Sequence, residues 1–333
     1  MYIYIMKKII ICWYGSFSNN GTIGDLLAVE TLTNYLSKFY LFDHLTYCSN
    51  FKNIKGTNVY QNCDYKSYDV FIFCCGPIMK SHSEFNKLIN KFNHCYKIGI
   101  SVSLFDKNHF NYLNPFDYVI SREGSENMYE DLAILSTNKI DSLDLCNAVK
   151  ICEGVIPSIA NKQFKIGLVL RGKQYEYGEK NCLIEEVNYL VNEIKKKYSN
   201  VVFIDNHLFT SNMSADEILN EYLKCDFIIT TRFHGCIIAI GNNIPFIGID
   251  QILNGAKLQN LISKDDYEYI FNIRELNIEI ISKKIEEVLN NKTIYNEKLL
   301  CVKNNKINNA TYSLNLLNDK LEEILYYTIP KEK

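Results

Sequence analysis

"TTRFHGCIIAIGNNIPFIGID", residues 230–250, follows the apolar run "DFII" and sets Arg232 and His234 two positions apart. An apolar run, a stretch of small and apolar residues, and a second apolar run after Pro245 read as strand, helix, strand. Open parallel sheets bind ligands at the carboxyl ends of their strands, and Arg232 and His234 fall at that edge, just ahead of a helix expected from about 235. Backbone N–H groups at a helix N-terminus favour an anion, and Gly235 lets the chain come close to one. A guanidinium fork and a titratable imidazole would complete an anion site. The bland alternative pairs Arg232 with a surface carboxylate and makes His234 a helix cap. An arginine buried there without a partner costs several kcal/mol, so a ligand anion or a protein carboxylate must accompany it.

Outward from this stretch, short apolar runs alternate with amphipathic segments, the pattern of strands buried on both faces of a parallel sheet. In the first half the strands are expected at "KIIICW" (8–13), "DVFIFCC" (69–75), "YKIGISV" (96–102) and "DYVIS" (117–121). Leu32, Tyr35, Leu36 and Phe39 recur at helix spacing, as do Met128, Leu132 and Leu135. The pattern lapses over 136–163, around Pro157, which marks a domain boundary. A second series follows: "KIGLVLRG" (165–172), a helix through "IEEVNYLVNEIKKKY", "NVVFIDN" (200–206), a helix through "SADEILNEYLKC", "DFIITT" (226–231), the helix from about 235 and "IPFIGID" (244–250). Ser214 and Glu217 form a capping box that starts its helix. From 274 the chain reads as helical with a break near 290–294. The expected fold is α/β, two Rossmann-like, doubly wound parallel-sheet domains over residues 1–155 and 156–333.

The 333 residues exceed what one core usually organises, and 47% apolar with 22% charged residues is ordinary globular composition. A net charge of −2 provides no field to hold nucleic acid, and Lys195–Lys197 read as a solvated helix end. The twelve cysteines include no C-x-x-C pair, and Cys12, Cys74 and Cys75 lie in apolar runs as small hydrophobes, which points to no metal and to a reducing cytoplasm. "MYIYIMKKIIICWYG" has its lysines mid-segment and no small-residue cleavage site, so it reads as a first strand. No run approaches the ~18 apolar residues of a membrane span, leaving at most peripheral membrane association. The abundance of Asn, Lys, Ile and Tyr reads as compositional bias.

Thr230, Arg232, His234, Gly235, Ala239, Gly241, Pro245 and Asp250 closely resemble the hallmark of the polysaccharide pyruvyl transferase family, a strand ending in S/T-x-R-x-H, a small-residue helix, then G-x-P and another apolar strand. "GSFSNNGTIGDLLAVETL" looks like the family's N-terminal N-x-G-D loop, here Thr22, Gly24 and Asp25 with threonine in the asparagine place. "FIFCCGP" resembles a segment that normally ends in a run of glycines, and "VISREGSENMYEDL" its R-(D/E)-x-x-S segment. Lys257 corresponds to the family's lysine after the last strand, so the resemblance covers roughly 8–260. It implies a fold similar to GT-B glycosyltransferases, two domains facing one cleft. It also implies transfer of the pyruvyl group of phosphoenolpyruvate to two sugar hydroxyls, with a cyclic ketal formed and phosphate released. Phosphoenolpyruvate is then a co-substrate and no cofactor is needed; the acceptor is a polymer, lipid-linked or nucleotide-linked sugar.

That chemistry needs fixed cations for a small trianion. Arg232 and Arg171, at the ends of two strands of one sheet, suit it, with His207 and Lys257 lining the donor site. Protonating the enol methylene calls for an acid near neutrality, which points to His234, and Asp25 would act as base or orienting acceptor from the other domain. Asp25 reads equally as an N-terminal helix carboxylate, and Arg122 with Glu123 as a structural pair. Gly15, Gly21 and Gly24 match neither the dinucleotide nor the P-loop pattern. A nucleotide-sugar glycosyltransferase is the alternative. It needs a carboxylate for the ribose diol, and from His234 to Ile249 there is none, although Asp250 follows. A non-catalytic glycan-pathway binding protein is the third reading.

Overall fold

The computed structural model describes residues 7–17, 21–46, 55–59, 62–78, 83–104, 115–123, 128–137, 164–173, 178–253, 257–262 and 268–326. The chain divides into two compact units that are not contiguous in sequence. One holds Met1–Leu135, His207–Asn212 and Asn304–Lys333, the other Ser136–Asn206 and Met213–Lys303. The domain boundary expected at 155/156, with Pro157, lies outside the described residues.

The first unit contains β1 (Ile9–Cys12), α1 (Ile23–Leu36), β2 (Phe42–His44), β3 (Thr57–Asn58), β4 (Val70–Ile78), α2 (Ser83–Asn90), β5 (Tyr96–Leu104) and β6 (Tyr118–Glu123). Its six strands are all parallel in the order β3-β2-β1-β4-β5-β6. β1 and β4 are the expected central strands, because "IIIC" and "VFIFCC" are buried throughout, as only a strand covered on both faces can be. Phe71, Phe73, Phe85, Phe92 and Phe116 interlock beside them in edge-to-face and offset contacts. The sequence pattern misses β2 and β3, which are three and two residues long. Met128, Leu132 and Leu135 form no α-helix, only a 3-10 turn at Leu132–Ser136.

The second unit contains β7 (Ile166–Val169), α3 (Ile184–Lys197), β8 (Val201–Phe203), α4 (Ala215–Leu223), β9 (Phe227–Thr230), α5 (Phe233–Gly241), β10 (Phe246–Asp250), α6 (Lys257–Ile262), β11 (Ile270–Asn272) and α7 (Ile278–Asn290). Its five strands are parallel in the order β11-β10-β9-β7-β8. α4 starts at the expected box, with the Ser214 amide donating to Glu217 Oε2 at 2.7 Å and the Glu217 amide to Ser214 Oγ at 3.3 Å. In α5 only His234 among nine residues escapes burial, so this helix is apolar nearly all round and sits in the core. Gly241 at its end has no room for a side chain, since a Cβ would lie 1.8 Å from Thr137 Oγ1.

α7 ends at Asn290, within the expected break, and α8 (Lys292–Tyr326) follows. Its residues from Asn304 on belong to the first unit. There Tyr35 and Tyr40 donate to Asn315 and Asn318 at 3.1 and 2.9 Å, and buried Lys306 pairs with Glu130 at 3.0 Å. Part of the Asn and Lys excess thus fastens this helix. Among the described residues no helix is long and apolar enough to cross a membrane.

His44 on β2 is fully buried beside Asn58 of β3. Burial, only partly offset by Asn58, pushes its pKa from 6.5 down to about 4. The unfolded chain therefore binds a proton between pH 6.5 and 4 that the folded chain does not, so stability is lost as the pH drops through that window, by about 3 kcal/mol in all. Denaturant unfolding at several pH values checks this: His44→Leu should flatten the profile between pH 6.5 and 4.

Candidate functional site

Both sheets have one place where the order of strands reverses, and ligands of open α/β sheets bind at the carboxyl ends of such a pair. In the second unit the pair is β7 and β9. Thr230, the last residue of β9, donates its hydroxyl to the Val169 carbonyl at 2.8 Å and accepts the Arg232 amide at 3.0 Å. Thr231 accepts the Arg171 amide at 2.7 Å. Two threonines thus tie the diverging strand ends together.

Arg232 is the N-cap residue of α5, in extended backbone, and its Nε donates to the Leu170 carbonyl at 2.7 Å. Its half-buried guanidinium is therefore pinned at a helix N-terminus, where backbone dipoles favour an anion. His234 follows in the first turn, half-buried, its ring 5.5 Å from that of Phe233. The structure thus brings Arg171, Arg232 and His234 to one sheet edge. Gly235 also serves packing: a Cβ there would stand 2.2 Å from Thr230 Oγ1, so the missing side chain makes room for the threonine that ties the strands.

Asp250 ends β10 fully buried, and its oxygens accept the amides of Ile252, Leu258 and Gln259 at 3.1, 3.0 and 3.3 Å. It caps α6. Gln251 donates to the Gly172 carbonyl at 2.8 Å, joining a third strand end to the same edge. Lys257 opens α6, and its side chain lies outside the described residues. His207 falls in the other unit from Arg232 and His234. There it forms an isolated antiparallel bridge with Thr22, next to the Leu208 amide, which donates to the Gly21 carbonyl.

The reversal in the first unit lies between β1 and β4, and α1 starts beside it. Asp25, in the first turn of α1, accepts from the Thr22 amide at 3.0 Å and the Thr22 hydroxyl at 2.7 Å, both on Oδ2. It is the helix-start carboxylate that the sequence allows. Its other oxygen, Oδ1, accepts from the Cys75 thiol at 3.3 Å. Cys75 in turn accepts from Arg122 Nη1 at 3.3 Å, and Arg122 pairs with Asp131 and donates Nε to Ser103 at 2.9 Å. Arg122 thus has an ion-pair partner in Asp131, nine positions on. Burial works against its charge, but Cys75 and Asp131 more than offset that and hold its pKa above the arginine range. Burial also pushes the Cys75 thiol well up, so it remains protonated and can donate.

Cys75 and Asp131 were missed by sequence reasoning, which reads Cys75 as a buried hydrophobe. A signal was present in the Cys-Gly pair closing an apolar strand: Cys75 and Gly76 both take left-handed backbone, at φ 66° and 96°, and Tyr14 packs where a Cβ on Gly76 would stand. Nothing in the local pattern connects Asp131 to Arg122, since their pairing depends on the turn at Leu132–Ser136 docking beneath β5. The Ser101 hydroxyl receives the Leu132 amide at 3.1 Å there, and Asp131 Oδ1 the Ala133 amide at 2.8 Å.

A family model described as polysaccharide pyruvyl transferase matches residues 23–251. No curated protein matches the chain. Among solved structures, a protein of Listeria monocytogenes assigned as a UDP-N-acetylglucosamine 2-epimerase has TM-score 0.55 at 11% identity, over 99% of each chain. A glycosyltransferase of Rickettsia africae has TM-score 0.52 at 12% identity, over 98% of this chain and 100% of its own. The UDP-GlcNAc 2-epimerase of Neisseria meningitidis, bound to UDP-GlcNAc, has TM-score 0.51 at 10% identity, over 95% and 100%. These likenesses establish the fold, two parallel-sheet domains of the GT-B kind.

Gly235→Ala tests the packing at the strand ends. Alanine in a helix is ordinarily better than glycine by about 1 kcal/mol, whereas overpacking costs about 1–3 kcal/mol. The clash with Thr230 should win and lower the melting temperature by a few degrees, with partial recovery in Gly235→Ala/Thr230→Ala. A melting temperature raised by Gly235→Ala alone would mean the two residues are not in contact.

Proposed function

The chain belongs to the polysaccharide pyruvyl transferase family, and we propose that it moves the pyruvyl group of phosphoenolpyruvate onto two hydroxyls of a sugar in a surface polysaccharide or its precursor. The observation that carries this reading is Arg232, a cation held in one orientation by the Leu170 carbonyl at the N-terminus of α5, two residues from His234. A small trianion needs such a fixed positive group backed by helix N–H donors. Arg171 adds a second cation on the neighbouring strand end.

In this reaction a proton adds to the enol methylene and makes it a methyl group. One sugar hydroxyl bonds to the resulting cationic carbon and gives up its proton; the carbon–oxygen bond to phosphate breaks with its electron pair on phosphate, and the second hydroxyl takes its place, its proton going to the departing phosphate. The products are a cyclic ketal and phosphate, and no cofactor enters the balance. His234 is the general acid, and a phosphate beside it would favour its protonated form. Arg232 and Arg171 hold the donor, with Gly235 and Lys257 as further donor-side residues. Asp25 accepts from an acceptor hydroxyl. The protein works in the cytoplasm, on a polymer, lipid-linked or nucleotide-linked sugar.

A nucleotide-sugar glycosyltransferase is the second reading, favoured by neighbours that include a glycosyltransferase and an epimerase bound to UDP-GlcNAc. The engagement of Asp250 by three backbone amides speaks against it, because that carboxylate would otherwise be the one to hold a ribose diol.

Thermal shifts separate the two. Phosphoenolpyruvate should stabilise the protein and UDP-sugars should not, and Arg232→Ala should abolish the shift. At a donor concentration of 100 times Kd the expected stabilisation is about 2.7 kcal/mol. An equal shift in the variant would remove Arg232 from the site. Phosphate release with candidate sugars tests the chemistry: His234→Ala should lower kcat by about a hundredfold or more while donor binding survives in part. A fully active His234→Ala would put the acid elsewhere.

A further inference from the structure

The buried chain of polar groups in the first unit has more parts than a helix cap needs. Thr22 alone completes the cap, with both of its bonds on Asp25 Oδ2. Asp25 Oδ1 is met by a thiol, and that thiol is backed by a buried ion pair, with Cys75 and Asp131 fully inaccessible and Arg122 2% exposed. Burying an arginine and an aspartate costs several kcal/mol before their attraction offsets it, so such a pair is weak evidence for stability alone. The thiol is also held at a cost. Cys75 lies at φ 66°, where a side chain costs about 1–2 kcal/mol that glycine would not incur. Ser101, which anchors the turn carrying Asp131, lies at φ 58°. Strained backbone clustered around one group points to a task for that group.

We propose that Cys75 is a positioning residue: its neutral thiol, oriented by the Arg122–Asp131 pair, donates to Asp25 Oδ1 and fixes that carboxylate in one rotamer as an acceptor for a substrate hydroxyl. This rests on the role assigned to Asp25 above. With Thr22 on one oxygen and Cys75 on the other, donors hold the Asp25 carboxyl from two sides, and hydrogen bonds to a carboxylate favour its ionised form. Within this unit the titratable and charged groups around Asp25 are Cys74 and Cys75 on β4, Arg122 on β6, and Asp131 ahead of the 3-10 turn. Two carboxylates thus act on the charge of one guanidinium, Asp131 by direct pairing and Asp25 at a distance. Removing the thiol would take away a donor without changing that balance of charge, so its effect reports the hydrogen bond.

Carboxyl carbon NMR titration of the full-length protein reads this directly, with the Asp25 resonance identified by its loss in Asp25→Asn. Cys75→Ala should raise the Asp25 midpoint by about one pH unit, a tenfold gain in proton affinity, and Cys75→Ser, which keeps a donor, should restore it. Should the alanine variant not fold, Cys75→Gly removes the same donor and suits the left-handed backbone. In phosphate-release assays the variants without a donor should lose about tenfold in kcat, with the acid limb of the pH profile moved up and KM for phosphoenolpyruvate unchanged. An Asp25 midpoint that stays put in a folded Cys75→Ala or Cys75→Gly would overturn the positioning role. A wild-type protein that releases no phosphate from phosphoenolpyruvate would instead overturn the proposed reaction, and the titration would still decide whether Cys75 governs Asp25.

Discussion

Where two neighbouring strands of a parallel sheet lead into connections that run opposite ways, their carboxyl ends must part, and polar backbone is left there that no ladder satisfies. Each unit solves this once. Between β7 and β9 the hydroxyls of Thr230 and Thr231 and the Nε of Arg232 take up the carbonyls and amide at the parting ends. Beside β1 and β4, the start of α1 meets the strained end of β4 through Asp25 and Cys75. The glycines follow from the same constraint, since Gly235 exists to admit Thr230 and Gly76 to admit Tyr14.

The two edges handle charge differently. Arg122 is sealed in, paired with Asp131, hydrogen-bonded to Ser103 and set against a thiol, so its work is internal to the protein. Arg232 is only half-buried, and its Nε donates to the Leu170 carbonyl, which fixes the direction of the guanidinium. A guanidinium held that way at a helix N-terminus favours an anion by field as well as by hydrogen bonding. This contrast is why the phosphoenolpyruvate reading rests on the second unit and the acceptor side on the first.

Much of the fold is legible in single segments. β1 and β7 to β10 fall within the runs that alternation predicts, and β4, β5 and β6 begin in theirs and run two or three residues past them, because strands of a sheet covered on both faces are rich in apolar residues. β2, β3 and β11 lie outside those runs. Met128, Leu132 and Leu135 have helix spacing, yet Asp131 caps a 3-10 turn there and ends the helical option. At the sites, Arg232, His234 and Asp25 stand out by type and by position after a strand. Cys75 does not, since its neighbours are apolar and only its backbone conformation sets it apart.

Local order and residue type therefore determined by themselves the alternation of strands and helices, the start of α4 at Ser214, and the clustering of Arg171, Arg232 and His234 at one edge. Those features need only neighbours in sequence and the period of burial. Tertiary structure alone decided that Arg122 pairs with Asp131, that a cysteine thiol reaches Asp25, that Asp250 is spent on capping α6, and that His207 and the end of α8 belong with the first unit. Each of these joins segments that are separate in the chain. A hydrogen bond or ion pair between such segments has no periodicity to betray it, and it appears only when the sheets bring the segments within about 3 Å of each other.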